Sequence, residues 1–337
     1  MNSRERVIRA IEFKGPDRVP LLHGVLPAAL LKHGRPLIDL LDEFESDFGQ
    51  QWAIPDVEKL GPCYRKGTHA DEWGVLWRNE RDGMMGIAIE HPLSDWSDYQ
   101  TYRFPPNPGD EWFASLQEEI RDLHHEHYVM AGGMNLFERM QFVRGYEELM
   151  CDLALDAKEA HILRDRLVDH ALESIHMAVK TDIDGLHFAD DWGTQVTLII
   201  SPAAWRRFFK PAYARMFEPC KAAGKHIHFH SDGVTSEIMH DLVEIGVDVL
   251  NVQHSIMGLK RIAGELGGKV AFRSDLDRQH ILPHGTREEI RAHVREVVEA
   301  LGSYNGGLIG HGEIAPDVPL ENVRAMLEAW REFGTYA

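Results

Sequence analysis

The sequence predicts an α/β fold, a closed (β/α)8 barrel with a Trp- and Pro-rich excursion over 60–110. Three observations lead there. From residue 111 onward, short apolar runs alternate with longer segments of helical spacing, the pattern of a parallel sheet with crossover helices. The number of such units suits a closed barrel, with a doubly wound sheet as the alternative. Polar side chains recur at the C-terminal ends of the strand patterns, where such barrels build their sites. A chain of 337 residues is ordinary for one barrel, so 1–337 is read as a single domain with 60–110 as an elaboration on it.

Taken in order, residues 3–13 read as a short amphipathic helix, with Val7, Ile8, Ala10 and Ile11 near helical spacing. Lys14-Gly15-Pro16-Asp17 ends it, and Val19-Pro20-Leu21-Leu22 is a candidate first strand. The excursion reads as short strands and turns whose aromatic residues cap a pocket or pack it onto the body. Beyond it come a helix over 111–126 and a strand over 128–131. Gly132-Gly133-Met134-Asn135 then turns into helical segments reaching about residue 181, and a strand follows over 184–189. A helix over 202–223 has Ser201 as N-cap and Pro202 in its first turn. A strand over 225–230, a helix over 235–245, a strand over 248–252, a further helix and a strand over 269–273 come next. The pattern closes with a helix over 286–301, a strand over 307–311 and a helix from about Leu320.

Hydrophobic residues make up 44% of the chain, enough for a sizeable core. The formal net charge of -18 argues against a nucleic-acid partner, and makes a polyanionic substrate uncomfortable unless arginines gather locally. Three cysteines, Cys63, Cys151 and Cys220, show neither a disulfide framework nor a CxxC spacing. The N-terminal residues lack the apolar core of a signal peptide, and no apolar run approaches the roughly 18 residues of a membrane span. A soluble, cytoplasmic protein is expected, with no nucleic-acid or membrane partner.

The chemistry is expected around Lys225-His226-Ile227-His228-Phe229-His230-Ser231-Asp232-Gly233. Alternation puts His226, His228 and His230 on one face of a strand, roughly 6–7 Å apart in the backbone. A catalytic metal takes three protein ligands and leaves a position open. His228 and His230 supply two, and His311 or Glu313, after the last strand, supplies the third. Such a nitrogen and oxygen set suits zinc. Asp190 and Asp191 are adjacent, so one faces the pocket. Gly185 and Ala189 share parity with Asp191 and favour it as the inward acid or base. The other strand-end residues include Asn135, Asp232, Asn251, Gln253, His254, Arg273, Asp275, Asp277 and His311. There is no GxGxxG, P-loop or GxSxG.

Four stretches in order resemble the uroporphyrinogen decarboxylase superfamily, which also holds the zinc-dependent cobamide methyltransferases. They are Ser3-Arg4-Glu5-Arg6-Val7 with Pro16-Asp17-Arg18-Val19-Pro20, Phe188-Ala189-Asp190-Asp191-Trp192-Gly193, His228-Phe229-His230-Ser231-Asp232-Gly233, and Pro316-Asp317-Val318-Pro319-Leu320-Glu321-Asn322. The resemblance implies a (β/α)8 barrel with its pocket at the strand C-terminal ends. The decarboxylase branch grips its substrate's carboxylates with an arginine-rich stretch after the first strand; the comparable residues here, Leu21-Leu22-His23-Gly24-Val25-Leu26-Pro27, contain no arginine. Leu308-Ile309-Gly310-His311-Gly312 is similar to that branch's Leu-Gly-His-Gly, whose histidine lies in the active site. The methyltransferase branch binds zinc through His-x-Cys and a later Cys. Here His228-x-His230 fills the first pair, and the later position falls near Gly312.

The leading expectation is therefore a corrinoid-linked methyltransferase acting on a small methylated substrate. Its metal would be held by His228, His230 and His311 or Glu313, with Asp191 or Asp190 moving a proton. Asp232 would steady the histidines, Asn135, Trp192, Gln253 and Asp275 would touch substrate, and a partner protein would carry the corrinoid. Decarboxylation through His311 and an aspartate, of uroporphyrinogen or a smaller acid, is the second expectation. A non-catalytic corrinoid- or tetrapyrrole-binding barrel is the third. A homodimer is what the family suggests.

Overall fold

A computed structural model describes residues 1–336. Its centre is a six-stranded parallel sheet, and several of the polar groups discussed below lie on its strands or just past their ends. Among the described residues the strands run β1 (Gly24–Val25), β2 (Gly67–Ala70), β3 (Leu76–Asn79), β4 (Ile87–Glu90), β5 (Met130–Gly132), β6 (Gly185–Ala189), β7 (His226–Ser231), β8 (Val249–Val252), β9 (Ala271–Arg273), β10 (Leu308–Ile309) and β11 (Glu313–Ile314). The order β10-β9-β8-β7-β6-β5 is that of sequence reversed, as alternating crossover helices produce.

Two further segments close the sheet into a barrel. Leu21 bridges in parallel to Gly310, and β1 pairs with β11. Between Leu21 and β5 the chain offers only three residues around Asp47, whose N–H donates to the Leu21 carbonyl at 2.9 Å and whose carbonyl accepts from Tyr128 at 3.1 Å. The barrel seam is thus one residue wide. The Asp47 carboxylate, fully buried, accepts from Arg6 Nη1 (2.6 Å), Arg18 Nη1 (2.8 Å) and the Leu21 N–H (2.7 Å). It fixes the seam with charge where the backbone ladder is missing.

Alternation sorts the strands' side chains. Leu186, Phe188, Ile227, Phe229, Leu250, Phe272 and Leu308 face outward into the large apolar cluster under the helices. Inside, Leu22, Phe48, Tyr128, Val249, Ala271 and Ile309 fill the lower barrel, and Val7 and Ile11 of helix Ser3–Ile11 plug its base. The upper barrel is polar.

The helix expected over 202–223 forms as two, Pro202–Phe208 and Lys210–Ala222. Pro211 has no N–H to give Arg207, so the ladder breaks there. The helix expected over 235–245 is only Met239–Glu244, and residues 19–22 make a single bridge where a full strand was expected. The excursion, with its antiparallel sheet β2-β3-β4, shares the large apolar cluster through Trp77 of β3 and through Trp73, Val75 and Leu93 beside the strands. Arg139 stacks on Trp73 at 4.4 Å. Among the described residues no helix is long and apolar enough to cross a membrane.

Candidate active site

The loops after β6 and β7 touch, and this contact assembles the site. Gly233 adopts φ +76, and a Cβ there would sit 2.1 Å from the Gly193 carbonyl carbon. Glycine at this close approach lets Asp232 N–H donate to Asp191 Oδ1 at 2.9 Å, while Gly193 N–H donates to the Asp232 carbonyl at 3.0 Å. His230, the last histidine of β7, lies between the two carboxylates. Its Nε2 is 3.3 Å from Asp232 Oδ1 and 3.7 Å from Asp191 Oδ1. Donor atoms from Asp191, His230 and Asp232 all lie within 4.8 Å of one another.

The tautomer of His230 follows from its neighbours. Asn251 Nδ2 donates to the Arg273 carbonyl at 3.0 Å, which turns Asn251 Oδ1 toward His230 Nδ1 at 2.8 Å. Nδ1 therefore carries a proton, and neutral His230 aims the Nε2 lone pair at two carboxylates. Asp232 Oδ1 is buried without a hydrogen-bond partner, while Oδ2 pairs with Arg278. A lone pair and two carboxylate oxygens facing one point repel each other unless a proton or a cation sits there. Without a cation the proton is favoured. Burial would lower His230, but Asp232 and Asp191 outweigh it and raise the imidazole above its ordinary value. Against the upward push of burial, His230 and Arg278 hold Asp232 down at about 2.

The metal set expected from sequence is not brought together. His228 shares a face with His230 but lies one layer deeper. It is 2% exposed, with Nε2 3.0 Å from the Tyr128 hydroxyl and Nδ1 unpartnered. Burial holds it well below the ordinary histidine range, so it is neutral. Glu313 is engaged by Arg278 at 3.1 Å. His311 Nδ1 donates to the Ser274 carbonyl at 2.9 Å, and its Nε2 packs against Gly24, where a Cβ would lie 2.2 Å away. Burial, then the Arg273 charge, keep it neutral.

Asp190 and Asp191, just past the end of β6, turn to different partners. Asp190 is 1% exposed and caps helix Leu136–Arg144 by accepting from Phe137 N–H (2.9 Å) and Glu138 N–H (2.8 Å); Tyr213 donates to it at 2.5 Å. Its oxygens are occupied by the fold. Trp192 is fully buried, stacked on Phe137 at 3.9 Å, with Nε1 donating to Tyr213 at 3.1 Å. Gln253 Oε1 accepts from Gly233 N–H at 2.9 Å and steadies the loop. Asn135 donates to Glu138 Oε2 at 2.6 Å and accepts from Ala189 N–H at 3.2 Å. Asp275 is 3% exposed, and burial pushes its carboxyl up to about 6.

Three groups at this mouth were not singled out from sequence. Glu138 is pushed up to about 7, first by burial and then by the Asp191 charge. Its Asn135-x-x-Glu138 spacing reads as an ordinary helix start. Arg278 bridges Asp232 and Glu313 from the loop after β9. His187 pairs in register with His228, and its buried Nε2 has no partner. Its parity with Gly185 and Ala189 was the available signal. A cavity of about 300 Å³ beside Phe44 and Trp330 is lined by none of these residues.

The profile of the family described as uroporphyrinogen decarboxylase (URO-D) matches residues 86–333. The uroporphyrinogen decarboxylase of Thermus thermophilus is 32% identical over 177 residues, which cover 51% of this chain and 48% of that protein. That of Legionella pneumophila is 26% identical over 308 residues, covering 85% of this chain and 77% of that one. The match thus spans about half the length of the Thermus relative. Among solved structures, a methyltransferase from Methanosarcina mazei superposes with a TM-score of 0.68 over 99% of both chains at 16% identity. At that identity the likeness is one of fold.

Proposed function

The chain belongs to the uroporphyrinogen decarboxylase family, and on that premise we propose that it is a metal-dependent methyltransferase, moving a methyl group from a small substrate to a corrinoid carried by a partner protein. Asp191, His230 and Asp232 would hold the divalent ion, zinc in first place. The residues fit one: a fixed lone pair on His230 Nε2, an orphaned buried oxygen on Asp232 and a second oxygen on Asp191 converge. That convergence is the observation that carries the reading. When bound, the ion supplies a Lewis acid to the substrate's heteroatom, and the corrinoid supplies the nucleophile that takes the methyl group.

The chain's own residues then have defined work. In methyl transfer from an ether, the carbon–oxygen bond breaks and its electron pair stays on oxygen, which needs a proton. Glu138, protonated near neutrality and oriented by Asn135, would supply it. Asn251 holds His230 in the tautomer that ligates, and Arg278 holds Asp232.

Metal analysis of tag-free protein tests this first. About one zinc or similar ion per chain is expected, lost in His230→Ala and in Asp232→Asn but kept in His228→Ala. A second assay follows methyl-corrinoid formation over methoxylated, methylated amine and thiol donors; formation no faster than without enzyme would sink the reading. Decarboxylation of a small acid is the second reading. The carboxyls of Glu138 and Asp275, held up to about 7 and 6, favour it because either could protonate a carbanion. Folded protein that binds no ion when zinc is offered back would turn the search there, with His311 the next residue to change.

A further inference from the structure

Arg273 ends β9 with the same parity as Ala271, which faces the barrel interior, and so projects into the polar upper layer. It keeps partial exposure at the mouth, yet its Nε is enclosed and has no hydrogen-bond partner. Nη2 donates to Asn251 Oδ1, a neutral group already shared with His230. Among the described residues no carboxylate oxygen lies within 4.0 Å of the guanidinium, whereas Arg278 beside it holds two carboxylates. His187, His228 and His311 around it are neutral, and the charges that favour its cationic form, Asp275 and Glu313, act from beyond ion-pair distance, Glu313 being paired with Arg278. Burial lowers Arg273 only to about 10, so it stays a cation at neutral pH. A cation desolvated to this degree with no carboxylate in direct contact is unfavourable in a protein interior. An anion entering the mouth would remove that cost.

The two orphaned nitrogens here are suited to one. Arg273 Nε is a donor with nothing to donate to, and His187 Nε2 is unpartnered. A planar monoanion can accept from an arginine fork through both oxygens. Arg273 and His230 meet on the same Asn251 oxygen, so a group held at Arg273 is one side chain removed from the Asp191–His230–Asp232 cluster. We infer that Arg273 is the anchor for a single carboxylate on the substrate, so that the enzyme acts on a small monocarboxylic acid. The inference rests on the barrel mouth being the active site. It deepens the proposed function by naming the substrate's class.

The test is binding, read without turnover. Acetate, propionate, benzoate and, as a neutral match, benzamide are offered to the wild-type protein, to Arg273→Gln and to Arg273→Lys, followed by calorimetry and thermal melting. Each is run with the metal in place and after chelation. At least one carboxylate should bind while benzamide does not. Affinity should fall about ten- to a hundredfold in Arg273→Gln, the range of a lost charged hydrogen bond, with part retained in Arg273→Lys. Binding should survive chelation, and the metal content of Arg273→Gln should equal that of the wild type. Carboxylate binding that persists in Arg273→Gln but vanishes on chelation would place the anion on the metal and overturn the inference while leaving the metal reading intact. No carboxylate binding to folded wild-type protein would overturn it too. Carboxylate binding lost in Arg273→Gln in a protein that never takes up metal would keep the anchor and remove the methyltransferase.

Discussion

At Glu138 two effects act in one direction. Burial disfavours the carboxylate, and the nearby Asp191 charge disfavours it further, so the proton is held up to about 7. A group that gives its proton to a leaving oxygen must start protonated. The rate that depends on Glu138 should be full below about pH 7 and fall tenfold per unit above it. Glu138→Gln should lower kcat by about two orders of magnitude, the scale of general acid catalysis, and flatten that alkaline limb. A limb unchanged in position in the variant would assign the proton elsewhere. Stability follows the same shift. Glu138 binds its proton more tightly folded than unfolded, so its contribution is present below about 4.5 and is lost as pH climbs to about 7. Equilibrium unfolding of Glu138→Gln should lack that slope. His228 shows how much of such a site a sequence carries. Alternation put it on the face of His230, which is true, but period two reports the face and not the depth. The Tyr128 hydroxyl that occupies its Nε2 is 100 residues away in sequence.

Among elements, the barrel strands were legible where apolar alternation ran for four residues or more, as in β6, β7 and β8. The closure was not. The segment around Asp47 has three residues, no periodicity and a buried charge, features that pattern reading assigns to a turn. What makes it a barrel wall is tertiary: Arg6 from the N-terminal helix, Arg18 and the Leu21 N–H all converge on one carboxylate. Asp190 was misleading for the opposite reason. A carboxylate at a strand end is what a site needs, and also what caps a neighbouring helix, and its three donors show the second use. Asp47→Asn should therefore destabilise the chain by about 3–5 kcal/mol, the effect of removing one partner from a buried charge cluster, measured by urea unfolding. A loss below about 1 kcal/mol would mean that the seam is held by the backbone bonds of Asp47 alone, as for an exposed ion pair.

Over the whole molecule, charge limits what the mouth can accept. Lys and Arg number 36 against 54 Asp and Glu, giving -18, and the field of such a protein repels polyanions unless cations gather at the entrance. The entrance segment 21–27 contains none, His23 and His311 are neutral through burial, and Arg278 is committed to Asp232 and Glu313. Of Arg273 and Arg278, Arg273 is the one left without a carboxylate in direct contact, a cation for a single carboxylate. Uroporphyrinogen, with its eight carboxylates, would bring seven charges with no partner into a low-dielectric barrel. Long anaerobic incubation of uroporphyrinogen with the protein should therefore leave it unchanged, by chromatography of the oxidised porphyrins, at low as well as physiological salt. Salt is the informative variable. If repulsion is the barrier, raising ionic strength screens it over roughly 10 Å at 0.1 M, yet adds no partner for the seven buried charges, so turnover should stay absent. Conversion that appears only at high salt would show that the field alone, and not the missing arginines, excludes the substrate. Conversion at any salt would favour decarboxylation over the proposed methyl transfer, with Glu138 as the proton donor to test first.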